Sequence, residues 1–407
     1  MKQIEKVINF GVGLILLNNL YLLSGFFHLS HLIVLAIVIL FSIFYTIINW
    51  EGGRAIFLIH NWYAFFCLFF SILLYTLDYF LYESEARLND VFRIIFYSFY
   101  FTWTFLLFKD LSLLLLWIKK LALASISILI IQGLFEYYQP YLWTLLLSSN
   151  VDKRTVGRIA GSLIDSNSYA CSLLLFYFIV LKEGFKTNKG INNLIIISLF
   201  ILILIFNDLS GSRQGVLLIV FFITDLVINN LGRKNLNRIV IGGVILFFIV
   251  ALFNQQIIEY SELNPHSSIG RIIGSSDNKI NQSNIDRQNS IYEGFLFWSS
   301  NYFVIGPGMI GFDSRWAGFT RAHEPHFGFL YLFAQLGALA FPIIYLYYKS
   351  YLRAKVVKVL LVFFSLILHL SLQPNTVYYG ITFYIFFYVD IKYLNTFTID
   401  IENNSSV

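Results

Sequence analysis

The feature that most constrains this chain is the recurrence of apolar runs, each about 15–22 residues long, separated by short polar turns. A helix rises about 1.5 Å per residue, so runs of this length match a hydrocarbon core roughly 30 Å thick. Backbone polar groups in hydrocarbon must be satisfied internally, which leaves helices and closed barrels as the structures that cross it. Barrel strands alternate apolar and polar positions. The runs here are continuous, so a barrel is excluded. A soluble fold is excluded by composition: 58% of residues are hydrophobic, 13% are charged and the mean hydropathy is +0.71. Soluble domains run near ~45–50% and ~25%. The expected fold class is all-α: a polytopic membrane protein with about twelve transmembrane helices.

The spans read as 7–27, 31–49, 55–80, 91–108, 119–138, 162–181, 191–207, 210–229, 238–253, 326–348, 356–372 and 377–393. The short apolar stretch 110–118 reads as an interfacial connector. Four regions follow. Residues 1–253 carry transmembrane helices 1–9, and 254–325 form one large extracytoplasmic loop between helices 9 and 10. Residues 326–393 carry helices 10–12, and 394–407 are a cytoplasmic tail. The first run follows Lys2 and Lys6, exceeds a signal peptide's apolar region and has no small-residue cleavage site, so it is read as a retained span. Cys67 and Cys171 lie inside apolar blocks without metal-ligand spacing.

Charge fixes the expected orientation. With both termini in the cytoplasm, every lysine except Lys153 and Lys279 falls on a cytoplasmic segment, a strong positive-inside pattern. The arginines run the other way. Arg87, Arg93, Arg154, Arg158, Arg213, Arg271, Arg287, Arg315 and Arg321 fall outside or at the outer boundary. Topology does not favour arginine over lysine there, whereas planar, bidentate binding of phosphate or carboxylate does. Pairing with local Asp and Glu is the competing explanation.

Polar residues gather in three places. In Asn207-Asp208-Leu209-Ser210-Gly211-Ser212-Arg213-Gln214-Gly215, the following apolar run from Val216 to Ile228 is too short to span. Its helix must start earlier, which draws Ser212 and Arg213 to membrane depth, where an arginine costs at least ~2.5 kcal/mol and signals function. In the first turn of a helix, Arg213 would stand beside backbone N–H groups able to help hold an anion; an Arg213–Asp208 ion pair is the structural alternative. The second cluster, Arg154 to Gly161 followed by Asp165 and Asn167, has glycines that allow close backbone approach to a ligand.

The third cluster is the large loop. Its first part, through Ser267, Ser275, Asn281 and Asn284, reads as flexible. Residues 285–299 read as an amphipathic helix carrying Arg287, with Ile285, Tyr292, Phe295 and Leu296 on its apolar face. The turn-rich Ile305-Gly306-Pro307-Gly308-Met309-Ile310-Gly311 fits a dinucleotide-binding string but has no βαβ unit around it, and that reading is rejected. The loop ends in Arg321-Ala322-His323-Glu324-Pro325-His326. This lacks the H-E-x-x-H spacing of zinc ligands, and Pro325 interrupts a helix through the pair. A histidine at this boundary is a candidate general base.

Taken in order, these segments resemble the bacterial O-antigen ligase and polysaccharide polymerase family of integral membrane proteins. Ser212-Arg213 with Gly215 opening a span resembles one family signature. Arg287 with Gly294 and Phe303-Val304-Ile305-Gly306-Pro307-Gly308 resembles a second. Pro325-His326, eleven residues before Gly337, resembles a third, and Gly161 with Asp165-Ser166-Asn167 a fourth. The resemblance covers about residues 155–340. Phe327 and Gln335 depart from the family's usual Asn and Glu, which leaves His323 open beside His326.

The resemblance implies a glycosyltransferase that moves a glycan from an undecaprenyl-pyrophosphate carrier to an acceptor glycan outside the cytoplasm. Arg213 and Arg287 would hold the pyrophosphate and His326 would act as base. Arg154, Arg158, Asn167, Ser212, Arg321 and His323 would line the substrate site. No metal or other cofactor is implied, and no nucleic-acid partner; membrane lipid and a chain-length regulator protein are the added partners. Loop aromatics (Tyr292, Trp298, Tyr302, Trp316, Phe319) would suit stacking on sugars, and packing explains them equally. A polymerase of capsule, exopolysaccharide or O-antigen repeat units is the first reading. A ligase with the same donor chemistry, or a flippase or transporter of lipid-linked oligosaccharide, is the alternative. Polar residues gathered at one boundary and the lack of an internal repeat argue against alternating access.

Overall fold

The computed structural model describes residues 111–146, 158–163, 165–185, 188–231, 253–273, 278–320 and 327–359, with 325, 385 and 388–396. The described residues are helical, without strands. The expected spans before residue 109 lie outside the described residues, as do 238–252, 360–372 and most of 377–393.

Helix α1 (Leu111–Tyr138) is one uninterrupted helix of 28 residues. The stretch 110–118 is therefore not a separate connector, as the sequence suggested, but the first turns of this helix. Lys119 and Lys120 do not break it. Each lays its ammonium over a ring, that of Phe185 at 5.2 Å and that of Trp117 at 5.3 Å, while its methylene stem follows the apolar surface. Pro140, which has no N–H to continue the ladder, opens the short α2 (Pro140–Leu146).

Helix α3 (Ser166–Glu183) is the hub. Its residues from Ser168 to Val180 are all buried, packed against α1, α4 (Lys189–Leu209) and α5 (Arg213–Leu231). Its start is fixed by Asp165, an N-cap whose carboxylate accepts the Ser168 N–H and hydroxyl, both at 2.9 Å. Two described stretches, Leu115–Tyr138 and Lys189–Leu209, are long and apolar enough to cross a membrane. At about 1.5 Å per residue they reach roughly 36 and 32 Å. The outer face of α4 is itself apolar, with Ile191, Leu194, Ile197, Ile201 and Ile205 exposed. A helix of a soluble bundle would carry polar residues on that face.

The region expected to be flexible folds into two helices, α6 (Asn254–Leu263) and α7 (Ser268–Ile273), and α7 packs on α4 and α5. The amphipathic helix is longer than its pattern suggests: α8 runs from Asn278 to Asn301. Its buried side also differs. Ile285, Tyr292 and Phe295 are exposed, and Ser290, Gly294 and Phe297 face inward. Small residues win that side because the helix lies close against its neighbours; a Cβ on Gly294 would press on Pro325 at 2.6 Å.

Helix α9 (Gly308–Phe319) follows Pro307, so the turn-rich stretch ends at that proline rather than at Gly311. The expected span 326–348 is broken into α10 (Gly328–Leu336) and α11 (Phe341–Val356), joined by a 3-10 turn. The break lies at Gly337, which takes φ +62°, a conformation that only glycine adopts readily. Ile305 forms an isolated antiparallel bridge with Gly337, and the Ala338 N–H donates to the Phe303 and Val304 carbonyls at 3.1 and 3.0 Å. The 303–306 segment thereby satisfies backbone groups that a continuous helix would have paired itself. Residues 388–396 are helical; Arg353 pairs with Asp390, and Lys392 with Glu183.

Candidate functional site

The end of α4 and the start of α5 are joined by Ser210-Gly211-Ser212, and this turn is where the polar clusters meet. Ser212 caps α5: its Oγ accepts the Gly215 N–H at 3.0 Å and donates to Asn167 Oδ1 at 3.0 Å. One N–H of the helix start is thus used by the cap, a contact that stabilises such a terminus by about 1 kcal/mol. Asn167, in the first turn of α3, is bound to the turn through the same hydroxyl. Ser212 and Asn167 are brought together as the sequence suggested.

The second cluster folds onto the same turn. Ile159 donates its N–H to the Leu209 carbonyl at 3.3 Å. Arg158 donates Nε to the Ser210 carbonyl at 2.9 Å and Nη2 to the Gly211 carbonyl at 3.2 Å. From α1, the Glu136 carboxylate accepts the Ala160 and Gly161 N–H groups at 2.9 and 2.7 Å. Gly161 thus packs against Gln132 and Tyr169 and gives its N–H to Glu136.

The third contribution comes from α6 and α7. Asp208 at the end of α4 receives both of them. Its Oδ2 accepts the Tyr260 hydroxyl at 2.6 Å, and its Oδ1 accepts the Ile269 N–H at 3.0 Å. Ser268 Oγ lies within hydrogen-bond reach of the Asn207 carbonyl (3.0 Å) and the Ser212 carbonyl (3.3 Å). Arg271 donates Nη1 to the Gly211 carbonyl at 2.6 Å. Gly211 has φ +65°, and a Cβ there would overlap the His266 carbonyl oxygen, so only glycine lets the 264–267 turn cross so closely.

The result is four half-buried arginines around one turn: Arg158, Arg213 at the first position of α5, Arg271 in α7 and Arg287 in α8. Burial pushes the guanidinium of Arg158 below its ordinary range; Asp165 offsets this, and Arg287 and Arg213 add to it. Arg287 is lowered by burial and then by Arg213, with Asp165 opposing. Arg271 is lowered to about 10, first by burial and then by Arg158, Arg213 and Arg287. Burial likewise raises the Tyr260 hydroxyl to about 12, with Asp208 adding to it. Among the described residues, Asp165 is a carboxylate that acts on Arg158 and Arg287. Such an arrangement is suited to an anion carrying more than one charge.

The sequence expectations thus divide. Arg213, Arg287, Arg158, Ser212 and Asn167 converge. Arg154, Arg321, His323 and His326 lie outside the described residues. Pro325, just before His326, is buried against Gly294, which is two helical turns along α8 from Arg287. Sequence reasoning counted Arg271 among the outer arginines without placing it in the site, and it missed Asp208 as a docking residue. The readable signal was that Arg271 follows, eleven residues after Tyr260, a tyrosine-bearing apolar stretch (Ile257, Ile258, Tyr260), which a disordered loop has no need of. Arg315 goes elsewhere: it donates Nη1 to the Tyr302 hydroxyl at 2.9 Å and lies over that ring.

Among the loop aromatics, packing predominates. Trp316 is buried, Tyr302 lies 4.7 Å from the Phe297 ring, and Trp298 stacks on Phe303 at 5.1 Å; Tyr292 is exposed. Among the described residues no cluster of three His, Cys, Asp or Glu side chains could hold a metal. No protein-family model matches the chain, and a search of curated proteins returns no match.

Proposed function

We propose that this chain is a polysaccharide polymerase of the cytoplasmic membrane, joining undecaprenyl-pyrophosphate-linked repeat units at its outer face by metal-independent glycosyl transfer. The observation that carries the reading is the convergence of Arg158, Arg213, Arg271 and Arg287 on one interhelical turn, with Asp165 as a carboxylate among them. In the reaction, the bond from the sugar's anomeric carbon to the pyrophosphate oxygen breaks. Negative charge grows on the departing undecaprenyl pyrophosphate, and fixed guanidinium groups in a water-poor site stabilise that charge directly. The acceptor hydroxyl forms the new glycosidic bond and gives its proton to a base, His326.

In this reading about twelve spans cross the membrane with both termini in the cytoplasm, α1 and α4 being the fifth and seventh. The junction of α4 and α5 then faces outward. Residues 254–325 belong to the same side, and the bonds from Tyr260, Ile269 and Arg271 to the α4–α5 turn support a site shared between loop and spans. The acceptor is a second glycan, and a chain-length regulator would act from outside the site.

The test is the composition of lipid-linked intermediates in cells. Deletion of the gene, or His326→Ala, should leave single repeat units on the lipid carrier, whereas His266→Ala should leave long-chain polymer. A ligase would instead accumulate finished long glycan on the lipid, and a flippase would trap units on the cytoplasmic leaflet. Normal polymer in the deletion strain would rule the proposal out.

A further inference from the structure

Helix α7 is amphipathic in the reverse sense. Its inner side is small and polar: Ser268 Oγ reaches the Asn207 and Ser212 carbonyls, Arg271 donates to the Gly211 carbonyl, and Gly270 lies against the Asn264 backbone. Its other side carries Ile269, Ile272 and Ile273, which share one stripe of the helix and are 37, 48 and 41% exposed. A surface helix in water turns its apolar stripe inward and its polar residues outward. Here the polar side makes the bonds to the protein and the isoleucines are left outside, as they are on the outward face of α4. Because α7 packs on α4 and α5, its isoleucines stand at the end of that same bundle. Exposed tyrosines mark the same level. Tyr137, Tyr138 and Tyr141 stand at the end of α1 and the start of α2, the rings of the first two 5.2 Å apart. Tyr137 is close enough to Tyr260 to act on its hydroxyl, which is itself bonded to Asp208 at the end of α4. Tyrosines gathered at the ends of apolar helices are the pattern of a membrane interface. Helix α6 carries the polar share of the hairpin, with Gln255, Gln256, Glu259 and Glu262 exposed along one side.

We propose that α7 is a lipid-contacting element lying in the outer interface of the membrane, with Ile269, Ile272 and Ile273 set among acyl chains and its polar side on the α4–α5 turn. The partner is the bilayer itself. The proposal rests on the membrane placement of α1 and α4 and not on the reaction. Residues 254–273 are then not part of a free extracytoplasmic loop but an in-plane hairpin. Six residues reach only about 9 Å, too little to cross even one leaflet, so α7 lies along the interface rather than through it. A protein partner fits less well, because three half-exposed isoleucines offer far less than the ~800 Å² per partner of a standard interface. Lipid contact takes these side chains out of water, which adds to the bonds of Ser268 and Asp208 in holding the hairpin on the turn.

The experiment uses the full chain in phosphatidylcholine nanodiscs, with Cys67→Ala and Cys171→Ala as background and one spin label at a time. Labels go on Ile272→Cys and Ile273→Cys, with Ile201→Cys in α4 as the lipid reference and Glu262→Cys in α6 as the water reference. Power saturation reads the access of each label to oxygen, which concentrates in lipid, and to a neutral nickel chelate, which stays in water. The logarithm of the oxygen-to-nickel ratio should be positive at residues 272 and 273, smaller there than at 201, and negative at 262. Negative values at 272 and 273 would put α7 in water, and low access to both reagents would put it against protein; either result overturns the proposal. The unmodified chain gives a second reading that needs no variant to fold. A diazirine dissolved in the lipid should label the peptide holding Ile269 to Ile273, and label on α4 without label there would equally overturn the proposal. A negative ratio at residue 201 would overturn the membrane placement itself, and the proposal with it. The polymerase reading is judged separately, by the lipid-linked intermediates of the deletion strain, which neither label changes.

Discussion

At the scale of single residues, Arg271 has a consequence for stability that can be worked out in sign. Its guanidinium is lowered from its ordinary value to about 10, by burial first and by three arginines second. Between those values the unfolded chain binds the proton and the folded one has released it, so folding is favoured as pH rises through that window. Below about pH 10 the charge opposes folding. The stability of wild type relative to Arg271→Gln should therefore increase on going from pH 8 to pH 10.5, measured by thermal unfolding without added anions. A flat or falling difference would show that Arg271 does not sit among like charges. Of the cluster, Ser212 and Arg213 were legible because the short apolar run after them forces the helix start to depth, Arg158 and Asn167 because they lie in the glycine-bearing polar cluster before the sixth span, and Arg287 because it lies on the amphipathic helix of the loop. Arg271 was not, since Ser, Asn and Pro around it speak for a loop, and its helix exists through tertiary bonds to Asp208 and Asn207 rather than through local propensity.

At the scale of elements, the attachment of α6 and α7 to the end of α4 rests on few groups, so it should open before the bundle does. Tyr260→Phe removes the hydroxyl that Asp208 accepts and should weaken the attachment by about 1 kcal/mol. Hydrogen exchange of residues 254–273 should quicken about fivefold while α3 and α4 keep their protection; uniform loss across α3 and α4 would mean that the hairpin is part of the core. The break between α10 and α11 is a second element that the sequence concealed. Residues 326–348 read as one span because their apolar pattern runs on through the two local breakers, Gly337 and Pro342. The interruption is imposed from outside, by the 303–306 backbone bonding to Ala338 and pairing with Gly337. The helix over 285–299 shows in the periodicity of its apolar residues, and the side that packs on the protein is a different one. Its inward side is built of Ser290, Gly294 and Phe297, and the smallness of the first two allows close packing while weakening the hydrophobic signal.

At the scale of the molecule, the all-helical architecture and helices of membrane-crossing length follow from apolar run length, the most robust signal in the sequence. What run length does not carry is which side chains of distant segments meet. Residues 158, 165, 167, 208, 212, 213, 271 and 287 span more than a hundred positions, and they are gathered by the packing of α3 between α1, α4 and α5 with α7 laid across the junction. The central claim is that this gathering serves glycosyl transfer from a pyrophosphate-linked donor. Its most direct measurement is reconstitution of the purified chain in liposomes with undecaprenyl-pyrophosphate-linked repeat units. The account predicts a ladder of longer lipid-linked glycans, release of one undecaprenyl pyrophosphate per bond formed, and loss of about 100-fold or more of this activity in Arg213→Lys, whose ammonium lacks the planar fork. An unchanged donor with wild type, or a full ladder with Arg213→Lys, would contradict it.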